Sequence, residues 1–416
     1  MDVGSENNKS DFKISVNDLK IGMFVTDLDC DWLDTPFMLQ GMFVRTSSDI
    51  EQLRKHCRHV YILSVGGAKF GGDVDFDSGV LIGRKPVKYP VEGTLQNEFS
   101  RVKVISKSAR YYVNDMLQRV RLGESINGEA AKELVEESVD SVIRHPDAIT
   151  FATKIRGLDE YTAEHCMNVC LLSIVFGRKL GLRKQQLVNV GLCGLLHDAG
   201  KVRIPDDILN KPGPLTREEY DIMKRHTTYG MEVLSAKKDM YQQAIDVAYS
   251  HHERPDGSGY PRGLGAKDLS LYTKIVSIVD VFDAITGDRV YAKGRPATEA
   301  LRILFEGRGK QFDNALTLAF IQTIGVYPPG TLVELVNGMV AIVVSTESGP
   351  RHLPKVLILR DAEKQPCEER VVNLHNSDDS KMDKRFFIKN VLPDGCYGIS
   401  LGHYFDRDVF QHLQLD

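Results

Sequence analysis

The sequence predicts a mainly α, multidomain protein: a large helical domain, a small mixed α/β domain before it and a short β-rich extension after it. Three observations predict this. Apolar residues recur at helical spacing through nearly every segment from Asp147 to Gly325. From Phe12 to Leu63 the apolar runs are short, ISVNDLKIGMFV and HVYILSV, with β-branched residues at Val60 and Ile62. After Tyr327 the pattern alternates, and GTLVELVNGMVAIVVS carries an Asn337-Gly338 pair between two apolar runs, a hairpin signature. A length of 416 residues suits two or three domains.

Residues 1–11 are polar and predict a disordered tail. Residues 12–95 make the small mixed domain. There IEQLRKHC reads as a short helix before a strand at Val60–Ile62, and the Gly- and Asp-rich stretch from Gly66 to Gly93 as a loop with one strand at Val80–Ile82. His56 and His59 have a loose metal-pair spacing, but Arg54, Lys55 and Arg58 surround them, so they read as a solvated basic face. Residues 96–146 read as connecting helices, broken between Gly123 and Gly128.

Residues 147–325 read as a succession of helices. Tyr161–Leu180 is closed by Gly181. Leu187–Asp198 follows, and Thr216-x-x-Glu219 is a capping box opening a helix that runs through His226. Asp239–His252, Tyr272–Thr286, Thr298–Phe305 and Asn314–Thr323 complete the set. Residues 326–416 form the β-rich extension, with the hairpin, strands at Lys355–Arg360 and Arg370–Leu374, and a polar loop at His375–Lys384. The tail from Arg385 has only weak apolar runs and carries no assignment.

A net charge of −4 gives no broad basic surface for DNA or an anionic membrane. Seven scattered cysteines without a CxxC pair read as reduced thiols in a reducing compartment. No run of about 18 apolar residues occurs, and the N-terminus is polar. The expectation is a soluble cytoplasmic protein without a signal peptide or membrane span.

Five of the twelve histidines, His165, His197, His226, His251 and His252, fall on helical segments beside apolar neighbours. One such histidine is usually a satisfied core residue. Five of them with Asp198 and Asp280 are another matter, because each buried titratable group without a partner costs roughly 1–3 kcal/mol or more. A divalent metal accounts for most of them at once. Imidazole and carboxylate without thiolate favour iron, manganese, nickel or zinc over calcium or magnesium, and iron or manganese is the expected pair. Seven ligands exceed the needs of one tetrahedral ion, so two metals with a bridging carboxylate are expected, and Asp198, directly after His197, is the bridge.

The motifs His197-Asp198-x-Gly200-Lys201, His251-His252-Glu253, Asp256-Gly257-x-Gly259-Tyr260-Pro261 and Asp280-x-x-Asp283-Ala284 occur in this order. Over about residues 150–325 the chain resembles the HD-GYP family of bacterial cyclic-dinucleotide phosphodiesterases, a branch of the HD metal-dependent phosphohydrolases. The N-terminal region resembles, less specifically, a small domain of unknown role that often precedes HD-GYP domains. The resemblance implies an HD-type helical bundle. It places His165, His197, Asp198, His226, His251, His252 and Asp280 at metal-ligand positions and Lys201 at the scissile phosphate or leaving oxygen. It places Gly259, Tyr260 and Pro261 in the loop that shapes the substrate pocket, and Asp283, Thr286 and Arg289 in the stretch after the last ligand.

Two departures from the family pattern stand out. The position of a third-metal glutamate is held by Tyr161, with Glu160 and Glu164 beside it, which favours two metals. After the last ligand the chain reads Arg289-Val290-Tyr291-Ala292-Lys293, so Lys293 is a displaced basic residue. Asp283, one turn after Asp280, is expected either to orient a ligand histidine or to make a helix-stabilising polar contact. Tyr260 is expected to stack on a base or to pack in its turn.

The expected reaction is hydrolysis of cyclic di-GMP or 3′,3′-cyclic GMP-AMP to a linear dinucleotide, with mononucleotides as a further product. Lys201 and Arg289 would offset charge on the phosphoryl oxygens. The competing readings are a non-catalytic nucleotide receptor or protein-interaction module, and a general mononucleotidase. A homodimer or a signalling-protein partner fits either main reading.

Overall fold

The computed structural model describes residues 11–19, 24–30, 42–44, 47–63, 85–124, 126–155, 161–236, 240–287, 294–346, 354–374 and 388–406. The chain divides into two compact units, one ending at Asp77 and one starting at Ser78.

In the first unit, β1 (Asp11–Ser15), β2 (Phe24–Leu28), β3 (Met42–Phe43) and β4 (His59–Leu63) form an antiparallel sheet in the order β1-β4-β2-β3. Helix α1 (Ser47–His56) precedes β4. Val25, Leu28 and Val60 from the sheet pack with Val16, Leu53 and Cys57 into one core. His59, read as part of a solvated basic face, is exposed, but its ring also meets Asp29 at 3.3 Å. The strand read at Val80–Ile82 lies outside the described residues.

The second unit opens with α2 (Leu95–Arg121) and α3 (Gly128–Arg144), whose first turns are capped by the side chains of Thr94 and Asn127. These connecting helices pack on α4 (Pro146–Ala152), α5 (Tyr161–Leu180) and α6 (Lys184–Leu196). The apolar stripe of Phe99, Val102, Ile105, Val113 and Met116 is the reason. Helix α5 is the centre of this body: Cys166, Val169, Cys170, Ile174 and Phe176 are all buried, so it is surrounded on every side.

Three helix boundaries near the site differ from expectation: the helix expected over Asp239–His252 ends at Ser250, so His251 and His252 follow it rather than lie within it, and two others lie earlier in the chain. Helix α6 stops at Leu196, and a 3-10 turn at Ala199–Arg203 follows, leaving Asp198 outside regular helix. The helix read through His226 is broken into α8 (Arg217–Lys224) and α9 (His226–Ser235), with the short α7 (Asp206–Leu209) before them. At the break Arg225 N–H bonds tightly to Ile222, and the Met223 carbonyl accepts the His226 ring N–H at 2.7 Å. The helices α10 (Gln242–Ser250), α11 (Leu271–Thr286), α12 (Ala297–Gly307) and α13 (Asn314–Ile324) follow.

The C-terminal sheet contains β5 (Leu332–Leu335), β6 (Val340–Ser345), β7 (Lys355–Arg360), β8 (Pro366–Asn373) and β9 (Ile388–Leu392) in the order β8-β7-β6-β5-β9. Strand β9 and α14 (Leu401–Asp406) come from the tail that carried no assignment. The expected polar loop at His375–Lys384 lies outside the described residues. Asp147 at the start of α4 ties the sheet to the helices: it accepts from Ser345 Oγ at 2.7 Å and from Thr346 N at 2.7 Å. Among the described residues, no helix is long and apolar enough to cross a membrane.

Candidate metal centre

Five elements converge at one end of α5. His165 comes from α5 itself, His197 and Asp198 from the turn after α6, and His226 from the first position of α9. His251 and His252 follow α10, and Asp280 comes from α11. Gly200 makes the approach possible. A Cβ there would lie 2.0 Å from the His226 carbonyl oxygen and 2.3 Å from Gly230 N, so only glycine lets the 3-10 turn meet α9.

The ligand-type atoms fall into two groups, His165, His197 and Asp280 in one and His226, His251 and His252 in the other. Asp198 lies between them. Its Oδ2 is 3.2 Å from His197 Nε2 and 3.6 Å from His165 Nε2. Its Oδ1 is 3.6 Å from His226 Nε2 and 3.7 Å from His251 Nε2. Each carboxylate oxygen thus faces a different histidine group.

The rings are aimed by bonds at their other nitrogen. Nδ1 of His197 donates to Gly194 O at 2.7 Å, that of His226 to Met223 O at 2.7 Å, and that of His251 to Val247 O at 3.1 Å. A carbonyl can only accept, so Nδ1 carries the hydrogen and Nε2 presents a lone pair to the centre. His165 reaches the same state through Asp283, whose Oδ2 accepts from Nδ1 at 2.8 Å.

These tautomers create a conflict that the protein atoms do not resolve. The Nε2 atoms of His226 and His251 are 3.3 Å apart, and both carry lone pairs. Burial pushes both imidazoles below their ordinary pKa, so a proton is disfavoured as the mediator. His197 Nε2 and Asp198 Oδ1 are buried without a hydrogen-bond partner, and Asp198 Oδ2 meets the Lys201 ammonium. Burial opposes charge on Asp198, and the Lys201 ammonium beside it favours the charged carboxylate. Converging lone pairs around a buried anion fit a divalent cation in each group.

Lys201 reaches the centre from the 3-10 turn, with Nζ 2.5 Å from Asp198 Oδ2. Asp280 Oδ1 lies 3.0 Å from His165 Nε2. His252 is pushed down to about 3, first by burial and then by His226. Cys166 Sγ stands near His197 and Asp198, but burial pushes its thiol well up, so it contributes a neutral wall.

The Gly259-Tyr260-Pro261 loop borders the second group. The Tyr260 ring stacks on His252, with centroids 4.9 Å apart and planes at 27°. A Cβ on Gly259 would meet Arg254 N at 2.4 Å, so the loop closes too tightly for a side chain there. Thr286 does not reach a ligand residue; its hydroxyl donates to Phe282 O at 3.0 Å within α11. Arg289 and Lys293 lie outside the described residues, as do Glu160 and the side chain of Tyr161. Glu164 is buried and turned toward Arg110 of α2 at 3.6 Å.

Asn168 and Arg262 escaped the sequence reading, and Glu253 was quoted in a motif without a role. Asn168 donates to Asp283 Oδ1 at 3.1 Å, completing a His165–Asp283–Asn168 relay. Its place one turn after His165 was the available signal. Glu253 is buried and accepts from the backbone N–H of Arg262 at 2.6 Å and of Leu264 at 3.0 Å, tying down the segment that follows the loop. Arg262 in turn donates to Ser250 Oγ at 2.6 Å. A glutamate directly after two ligand histidines was the signal for Glu253.

Comparison with known proteins gives two family matches, an HD domain over residues 152–316 and a domain of unknown function, DUF3391, over residues 11–131. The cyclic di-GMP phosphodiesterase PA4108 of Pseudomonas aeruginosa is 36% identical over 87% of this chain and 88% of its own length. A cyclic di-GMP phosphodiesterase of Thermotoga maritima is 34% identical over 51% of this chain and 57% of its own. The 3′3′-cGAMP-specific phosphodiesterase 2 of Vibrio cholerae is 35% identical over 40% of this chain and 32% of its own.

Proposed function

We infer the activity from one premise: the chain belongs to the HD-GYP family of cyclic-dinucleotide phosphodiesterases. It is a metal-dependent phosphodiesterase that hydrolyses a cyclic dinucleotide. We propose cyclic di-GMP as the substrate and the linear dinucleotide as the first product. The relative named for cyclic di-GMP matches along nearly the whole chain, whereas the one named for 3′3′-cGAMP matches over 40% of it.

The observation that carries the proposal is the position of Asp198, with one oxygen toward each histidine group. It supports two divalent ions, iron or manganese, one held by His165, His197 and Asp280 and one by His226, His251 and His252, with Asp198 shared. Bound there, such a pair supplies an activated water near neutral pH and a clamp on phosphoryl oxygens. The protein supplies the rest. Lys201, anchored by Asp198, holds a cation where a phosphodiester oxygen would gain charge and can give a proton to the departing 3′-oxygen. Tyr260, braced on His252, walls the pocket on the nucleotide side.

The test is anaerobic loading with iron or manganese, then chromatography of reactions with cyclic di-GMP and 3′,3′-cyclic GMP-AMP, beside a His197→Ala/Asp198→Ala variant. Faster cleavage of cyclic di-GMP by the wild type alone is expected. Two metals per chain without cleavage of either nucleotide would leave a receptor instead.

A further inference from the structure

Two thiols meet in the first unit, away from any role in phosphodiester chemistry. Cys30 follows β2 and Cys57 joins α1 to β4, and their Sγ atoms are 3.4 Å apart. Cys57 is a buried member of the core, and Cys30 packs against that core half-buried. Their approach is set by the backbone. Asp29, the residue before Cys30, accepts from Arg58 N at 3.1 Å and from His59 N at 2.7 Å, the two residues after Cys57. This clasp draws the two segments together without any bond between the sulfurs.

We propose that Cys30 and Cys57 form a redox dithiol site that closes to an intramolecular disulfide on reaction with a hydroperoxide. The competing occupant is a metal, since Asp29, Cys30 and Cys57 present ligand atoms within 4.8 Å of one another. Both Asp29 oxygens are engaged by backbone N–H groups, and two sulfurs fall short of the four ligands that structural zinc takes.

The chemistry divides between the two thiols. Burial, with Cys30 adding to it, pushes the Cys57 thiol up to about 12, so Cys57 stays protonated and waits as the resolving group. Cys30, the more accessible sulfur, attacks the hydroperoxide and releases its proton to solvent. The O–O bond breaks, alkoxide or hydroxide leaves, and Cys30 becomes a sulfenic acid. The Cys57 sulfur then attacks the Cys30 sulfur. The S–O bond breaks, and the hydroxyl departs as water with the Cys57 proton. Two thiols lose two electrons, and the peroxide gains them. The closed loop spans Cys30 to Cys57 and restricts the unfolded chain, so the oxidised unit should unfold at a higher temperature.

The test treats the full manganese-loaded chain with hydrogen peroxide under native conditions, blocks remaining thiols after denaturation, and maps peptides without reduction. The expected result is one cross-linked pair, Cys30 with Cys57, two hydrogens lighter than its reduced parts, with Cys166, Cys170 and Cys193 alkylated. Cys30→Ser should leave Cys57 alkylated, and reduction should restore both thiols and the lower unfolding temperature. Three results would overturn the proposal: both thiols recovered alkylated, Cys30 linked to another chain, or thiol protection that a chelator abolishes.

Discussion

His165 on α5 and Asp283 on α11 are joined by a 2.8 Å hydrogen bond from Nδ1 to Oδ2, across 118 positions of sequence. The work of Asp283 is to fix one imidazole, with Asn168 holding its second oxygen. Outer partners of this kind cost about 10–100-fold in metal affinity or activity when changed. Asp283→Ala should therefore lose metal from the His165 group and lower turnover by about that factor, while the folded helix content stays the same. Metal analysis beside circular dichroism checks it, and full metal content with normal turnover would remove the orienting role.

Asp198 faces both histidine groups at once, so its removal should be felt in both. Asp198→Ala is expected to lower metal content to one ion per chain or fewer. Turnover should fall by more than the ~100-fold upper range of outer-partner changes. His252→Ala removes a ligand from one group only and should retain more metal than Asp198→Ala. Equal loss in the two variants would argue against Asp198 as the shared ligand.

Glu253 ties down the segment that follows the Tyr260 loop through two backbone N–H bonds, at 2.6 and 3.0 Å. Bonds to a charged acceptor contribute roughly 1.5–3 kcal/mol each. Glu253→Ala should loosen the pocket wall and raise KM about tenfold or more, about 1.4 kcal/mol, with a smaller change in kcat and unchanged metal content. Steady-state kinetics with metal analysis separates this from damage to His252, which would remove metal as well.

Much of this site was legible in the chain because its chemistry is local in sequence. Paired residues such as His197-Asp198 and His251-His252 concentrate costly side chains where apolar residues are expected, and burial then demands a partner. The helix breaks were less legible. His226 takes the Met223 carbonyl with its own ring, a choice between side chain and backbone that periodicity does not register. Tyr260 could be placed in a loop, but its stacking on His252 depends on a tertiary approach. Strand β9 was missed because its pairing with β5, Leu332 opposite Leu392, supplies an order that its weak apolar run does not announce. Helices α2 and α3 were identified as helices, but only the structure shows that Glu98 joins them through Ser141 and Arg144.

That last contact sets a pH dependence with a definite sign. Burial would raise the Glu98 pKa, but hydrogen bonds from Arg144 and Ser141 outweigh it and hold the carboxyl below its ordinary value. Arg144 approaches through two nitrogens, at 2.9 and 2.8 Å, and Ser141 Oγ at 2.6 Å. A carboxyl whose folded pKa is depressed contributes stability above its unfolded value of about 4.3. That contribution is lost as pH falls through the folded pKa, because the proton removes the charge that Arg144 pairs with. Glu98→Gln lacks the charge at every pH. At neutral pH it should unfold more readily than the wild type, by about 1–3 kcal/mol for a buried charged bond. The gap should narrow steadily as pH falls below about 4.3. Urea unfolding of the second unit at several pH values measures it, and a gap independent of pH would show that Glu98 acts through packing alone.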